Sequence, residues 1–303
     1  LKAVKKLGYE PDRLAQSMRS GVTHTVACAA REIGIAGFSA VVHAAEEVLR
    51  DAGYTLLLAV TDERKEREVA LLHTISQRRV DALIIATSSE SDKDLTRSLS
   101  ALKMPVLLLD RDNPPQFDAV LLDHFRGTRA ATEHLLGLGH RRIALVTGHP
   151  SLRPARERIA GFEAAMKGVS DACPMLKTGG FSVEFGFNET LFLLSAKERP
   201  TAIIAGGMSM LAGVLQAVRS RGLSIPDDIS IVAGADTELA ELATPPVTAV
   251  RWSGVDQGRV AVQLLLNRLS GKGDAPVQRV LLSTELVKRG STGPAPRAHS
   301  RAS

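Results

Sequence analysis

The chain has 303 residues, 44% hydrophobic and 23% charged, with 38 Lys and Arg against 33 Asp and Glu for a net charge of +5. That size suits two subdomains better than one. No apolar run nears the roughly twenty residues of a membrane span, and no signal-peptide core opens the chain, so a cytoplasmic protein with no membrane partner is expected. The two cysteines, Cys28 and Cys173, and histidines without metal-ligand spacing predict reduced thiols, no metal and no cofactor.

The opening segment, Val4-Lys5-Lys6-Leu7-Gly8-Tyr9-Glu10-Pro11-Asp12-Arg13-Leu14-Ala15-Gln16-Ser17-Met18-Arg19-Ser20-Gly21, is basic: Lys2, Lys5, Lys6, Arg13 and Arg19 face only Glu10 and Asp12. Such a surplus reads either as a solvated helix end or as a patch for phosphates. Pro11 fixes the chain ahead of a short helix on which Ala15 and Met18, three apart, share one side.

From residue 25 onward short apolar runs alternate with longer amphipathic ones, the pattern of repeated strand–helix units and a parallel sheet. Strands are predicted over 25–30, 54–60, 82–87, 106–110 and 119–122. Between them Phe38, Val41, Val42, Ala45, Val48 and Leu49 fall at helical spacing, and Gly53 stops that helix. Further helices are predicted over 63–77 and 91–102, the latter ended by Pro105. The alternation then restarts. A helix over 127–138 leads through Gly139-His140-Arg141-Arg142 into a strand over 143–147. Ile159, Phe162 and Met166 make a helix face, 202–205 reads as a strand, and Leu211, Val214, Leu215 and Val218 make the next helix. Pro226-Asp227-Asp228 punctuates before a strand over 229–232. Two successive α/β stretches predict two similar lobes with a ligand cleft at the carboxyl ends of their strands. The Ser-, Ala-, Pro- and Arg-rich tail from Ser291 has no apolar period and is expected to be disordered.

Leu7-Gly8-Tyr9-x-Pro11 followed by Ala15-x-x-Met18-x-Ser20-Gly21 resembles the end of the helix-turn-helix domain and the hinge helix of the LacI/GalR family of bacterial transcription regulators. Gly137-Leu138-Gly139-His140-Arg141-Arg142-Ile143-Ala144, Arg156-Glu157-Arg158-Ile159-Ala160-Gly161-Phe162, Thr244-Pro245-Pro246-Val247-Thr248-Ala249-Val250-Arg251 and Thr284-Glu285-Leu286-Val287-Lys288-Arg289-Gly290 are similar to family signatures, as is the run from Arg219 to Ser230. The resemblance implies two Rossmann-like lobes of the periplasmic-binding-protein type I architecture, with three crossovers near Asp123, 251–253 and 280–282. The implied domains are a headpiece end and hinge over 1–23, a first, dimerising lobe over 24–123 and 253–281, a second lobe over 124–252 and 282–292, and a disordered tail over 293–303. Because Leu1 is not a translation start, most of a helix-turn-helix is expected upstream.

The resemblance implies a repressor whose hold on operator DNA depends on a small-molecule effector in the cleft. Arg13, Ala15, Met18 and Arg19 would form the DNA-binding hinge, with Met18 where the family pushes a leucine into the minor groove. Asp12 stands where the family usually has Asn. The operator would be a palindrome matched by a homodimer built mainly by the first lobe. Arg158 stands at the family's effector-binding arginine, whose guanidinium forks onto hydroxyls or carboxylates. Other family contacts are replaced: Asp-x-x-Asn-Pro-Phe-Phe becomes Glu32-Ile33-Gly34-Ile35-Ala36-Gly37-Phe38, an Asn-Asp pair becomes Gly207-Met208, and Gly-Phe-Asp-Asp becomes Ala233-Gly234-Ala235-Asp236. The expected effector site is therefore Arg158, Asp110, Asp123, Trp252, Gly207, Ala235, Asp236 and Phe38, with Arg31 nearby. Such a site fits a sugar or, with so many hydroxyl acceptors gone, an organic acid or an aromatic ligand.

Two other functions are weighed. Gly206-Gly207-Met208-Ser209-Met210 after the 202–205 strand superficially matches a serine-hydrolase elbow, but the second flanking glycine is absent and the only later histidine is His299 in the tail. No enzyme is expected. A solute-binding receptor of the same fold, serving a transporter, is the alternative, opposed by the hinge sequence.

Overall fold

The computed structural model describes residues 22–296 except 33, 35, 36, 63, 79 and 272–274. The predicted hinge residues Arg13, Ala15, Met18 and Arg19 lie outside the described residues. The first half runs β1 (Thr25–Ala30), α1 (Phe38–Asp51), β2 (Thr55–Val60), α2 (Lys65–Arg78), β3 (Ala82–Ile85), α3 (Lys93–Ser100), β4 (Val106–Leu109) and β5 (Asp118–Leu122). The second runs α4 (His124–Gly137), β6 (Arg142–Gly148), α5 (Arg153–Met166), β7 (Cys173–Gly179), α6 (Val183–Ser195), β8 (Ala202–Gly206), α7 (Met210–Ser220), β9 (Ser230–Ala233), α8 (Glu238–Leu242) and β10 (Thr248–Arg251). The chain closes with α9 (Gly254–Leu269), β11 (Arg279–Leu282) and β12 (Glu285–Val287).

These strands form two six-stranded sheets, β11-β5-β4-β3-β1-β2 and β12-β10-β9-β8-β6-β7. The first is parallel throughout. Its central strands are unbroken apolar runs because helices cover both faces: Ala-Leu-Ile-Ile of β3 and Val-Leu-Leu-Leu of β4 are buried at every position. In the second sheet β12 pairs antiparallel with β10, so the parallel pattern expected there ends at one edge. The chain passes between sheets at Asp123, at Trp252–Ser253 and at 283–284. Two of those passages double as helix caps. Asp123 accepts the Arg126 amide at 3.0 Å to start α4, and Ser253 accepts the Asp256 amide at 3.0 Å to start α9. Returned to the first sheet, α9 lies so close on α1 that a Cβ at Gly258 would sit 2.3 Å from the Val41 carbonyl oxygen.

Three expectations are corrected. The spacing gave no sign of β7 or α6. Strand β7 is a half-exposed edge carrying Pro174, tolerable only there. Helix α6 lacks a clean apolar stripe because Gly186 and Gly213 let it approach α7 to backbone distance, with a Gly213 Cβ position 2.0 Å from the Val183 carbonyl oxygen. The tail is ordered in its described part: Ser291 is buried and its hydroxyl joins the Thr248 amide to the Ile231 carbonyl, Thr292 meets His134 at 2.9 Å, and the Ala295 amide reaches the Leu138 carbonyl at 2.9 Å. Small polar residues here fasten by hydrogen bonds rather than by an apolar face. Residues 297–303 lie outside the described residues. Both cysteines are free thiols, Cys28 pushed up to about 12 by burial and Cys173 exposed.

Candidate functional site

Where the two sheets face each other, a cavity of about 160 Å³ opens at the carboxyl ends of their strands. From the first sheet come Arg31 and Glu32 just past β1, Ala86 past β3, Asp110 and Arg111 past β4, and Leu122 at the end of β5. The second contributes Phe181 past β7, Gly207, Met208 and Ser209 past β8, and Trp252 past β10. Helix starts complete the lining: Phe38 opens α1, His124 opens α4, and Pro154 and Arg158 lie in the first turns of α5.

Among the described residues, Arg158 is 4% exposed and has no carboxylate within 4 Å. Its Nη1 donates only a long 3.4 Å bond to the Pro154 carbonyl, and its guanidinium carbon stands 5.9 Å from the centre of the Phe181 ring. Burial pushes it down to about 10, so it stays charged at neutral pH. Arg111, also buried, donates to the Thr87 carbonyl at 2.8 Å and to the Asp110 carbonyl at 3.0 Å, again with no acid in ion-pair range.

Asp110 is spoken for. One oxygen accepts His124 Nε2 at 2.7 Å, and the other accepts the Leu122 amide at 3.2 Å and Arg153 Nη1 at 3.1 Å. Burial raises its carboxyl, but His124 and the Arg153 and Arg111 guanidiniums outweigh burial and hold it well below the usual carboxylate range. His124 is itself pushed down, first by burial and then by Arg158, against the opposing pull of Asp110. The ring also meets Trp252 edge-on at 5.9 Å and 84°. The slot for Phe181 is cut by two glycines: a Cβ at Gly148 would lie 2.1 Å from the ring, and one at Gly207 2.7 Å.

Arg153, outside the lining, ties the lobes together. From the start of α5 it holds Asp110, donates to the Leu122 carbonyl at 3.0 Å and stands 3.7 Å from Asp112, while its amide bonds Glu90. Arg156, one turn on, meets Asp112 at 2.9 Å and Glu90 at 3.9 Å.

Of the residues expected at the site, Phe38, Asp110, Arg158, Gly207, Trp252 and Arg31 line the cavity. Asp123, Ala235 and Asp236 do not: Asp123 is occupied as the α4 cap, Ala235 is buried in the second lobe, and Asp236 is ion-paired to Arg289 at 2.7 Å and Arg251 at 2.8 Å. Sequence reasoning passed over His124, Arg111, Arg153, Phe181 and Met208. The first two stood beside residues it did name, and position just past a predicted strand was the available signal. Judging Ser209 by histidines downstream also overlooked His124, which lies on the same cavity with Asp110. No hydrogen bond joins Ser209 to His124, whose Nε2 is held by Asp110, so these two do not make a nucleophile–base pair. Nor do three or more His, Cys, Asp or Glu side chains gather to hold a metal among them, and no described helix is long and apolar enough to cross a membrane.

Burial pushes the imidazoles of His124, His134 and His140 below their ordinary value. Each therefore binds a proton more readily unfolded than folded, so stability is full above the unfolded value of about 6.5 and falls as pH drops through the lower folded ones. The thermal midpoint should be level from about pH 8 to 7 and decline toward about pH 5.5. A midpoint unchanged over that range would contradict the burial of these rings.

A family model described as a periplasmic binding protein-like domain matches residues 132–292. The ribose operon repressor of Escherichia coli (strain K12) is 32% identical over 95% of this chain and 88% of its own length. Among solved structures, the lac repressor dimer bound to operator and the anti-inducer ONPF superposes with a TM-score of 0.83 at 28% identity, covering 96% of this chain and 88% of that one. A LacI family transcriptional regulator from Enterococcus faecium with bound ribose gives a TM-score of 0.79 at 28% identity, over 89% and 99% of the two chains.

Proposed function

Since the chain belongs to the LacI/GalR family of transcriptional regulators, we propose that it represses transcription from a palindromic operator as a homodimer, and that an effector bound between its lobes sets its hold on DNA. The observation that carries this reading is Arg158, a buried guanidinium without an acid partner, on a cavity walled by both lobes. A ligand there touches both walls at once, so its affinity depends on the angle between them, and by reciprocity its binding biases that angle. In a two-fold dimer the same bias orders or releases the paired segments preceding the first lobe, where Arg13, Ala15, Met18 and Arg19 are suited to phosphates and the minor groove. Such a regulator acts in the cytoplasm, and no catalytic step is assigned to it.

The test uses the intact protein and DNA from its own promoter region. Mobility-shift titration should show one dimer per palindrome, with binding lost when one half-site is scrambled. A metabolite that raises the thermal midpoint should also shift operator affinity by roughly tenfold or more. A ligand that stabilises the protein and leaves operator affinity untouched would sink the coupling.

A further inference from the structure

Building on that reading, we infer that the effector is a small aromatic carboxylate rather than a neutral sugar. A sugar presents hydroxyl donors and needs acceptors to meet them. Among the described residues the cavity offers few. Both oxygens of Asp110 are already engaged by His124, Leu122 and Arg153, and Glu32 stands at the rim beside Arg31, its side chain 58% exposed. Donors, by contrast, are in surplus. Arg158 and Arg111 are both buried without an acid in ion-pair range, and Arg158 spends only one long bond on the protein. Two guanidiniums in a low-dielectric site call for an anion, and a carboxylate matches the planar fork with two oxygens.

The same walls describe the rest of the ligand. Phe181 is fitted between Gly148 and Gly207, Trp252 is met edge-on by His124, and Phe38, Met208 and Pro154 line the remaining sides. These rings give the cavity apolar aromatic walls, suited to stacking or edge contact with another ring. A volume of about 160 Å³ takes one six-membered ring with a short substituent, close to the apolar cavities of about 150 Å³ that accept benzene. Residues at the starts of α1, α4 and α5 and Ser209 ahead of α7 also line the cavity, so helix amino ends border it and favour the charged end of such a ligand.

Calorimetry on this protein with benzoate, 4-hydroxybenzoate and phenylacetate, each against a neutral counterpart such as methyl benzoate or benzyl alcohol, and with ribose and cellobiose, tests the assignment. At least one carboxylate should bind, and roughly tenfold or more tighter than its neutral counterpart. Binding of ribose or cellobiose with no carboxylate bound, or no binding by any carboxylate, overturns the ligand class and leaves the regulator reading standing. Carboxylate binding unaffected by Arg158→Ala would place the ligand outside the cleft and overturn it as well. A carboxylate that needs Arg158 but leaves operator affinity unchanged supports the ligand class and defeats the regulatory reading instead.

Discussion

Arg153→Ala is expected to lower the unfolding free energy by about 3–5 kcal/mol, the usual cost of removing one member of a buried ion pair. The Arg153 side chain is 6% exposed and Asp110 16%, so water replaces the lost partner only in part. Asp110 would keep His124 and would lose its adjacent guanidinium; the Leu122 carbonyl would lose a donor in the same step. The loss should fall on the contact between the lobes in particular, because Arg153 lies in the second lobe while Asp110, Asp112 and Glu90 lie past strands of the first. Thermal and urea unfolding measure it. Arg153→Met combined with Asp110→Asn removes both charges and should recover part of the stability, since the penalty lies in the orphaned carboxylate rather than in the absent pair. A single variant within about 0.5 kcal/mol of the parent would mean that the acids find Arg156 or solvent instead, and that the lobes are not held by this cluster.

How much of this was legible beforehand follows from what kind of signal each part carries. The central strands announce themselves: Val-Leu-Leu-Leu of β4 can be nothing but doubly covered, and the positions just past such runs had to face the cleft. That reasoning reached Asp110, while Gly207 and Trp252 came from the family resemblance, at a replaced pair and at a crossover. It failed where local chemistry competes with position. Asp123 sits at a crossover, as expected, but a carboxylate one residue before a helix caps it, and the cleft receives His124 instead. Asp236 is drawn away by Arg289 and Arg251, partners brought together only by the sheet. Strand β7 and helix α6 escaped because an edge strand is not apolar and glycine-mediated helix packing leaves no stripe. The Arg153 cluster escaped for another reason. It joins residues 43 apart across two lobes, and neither half shows any periodicity that requires the other.

Arg158→Ala should separate binding from folding in the opposite sense to Arg153→Ala. The guanidinium is buried with one 3.4 Å bond to a carbonyl and a ring 5.9 Å away, so in the free protein its desolvation is scarcely offset. Its removal should therefore leave the thermal midpoint unchanged or slightly raised. Ligand binding should instead weaken by about 2–3 kcal/mol, roughly 30- to 150-fold, because a carboxylate in the cavity would lose its charge-assisted fork and keep its own desolvation penalty. Arg158→Lys should recover only part of this, since an ammonium is a point charge without the planar pair of donors. Because the group remains protonated far above neutrality, with burial lowering it only to about 10, the binding deficit should not change between about pH 6.5 and 8. Calorimetry and melting curves on the three proteins decide it. Equal loss of stability and affinity would show Arg158 to be a packing residue, and equal affinity in all three would place the ligand outside the cleft.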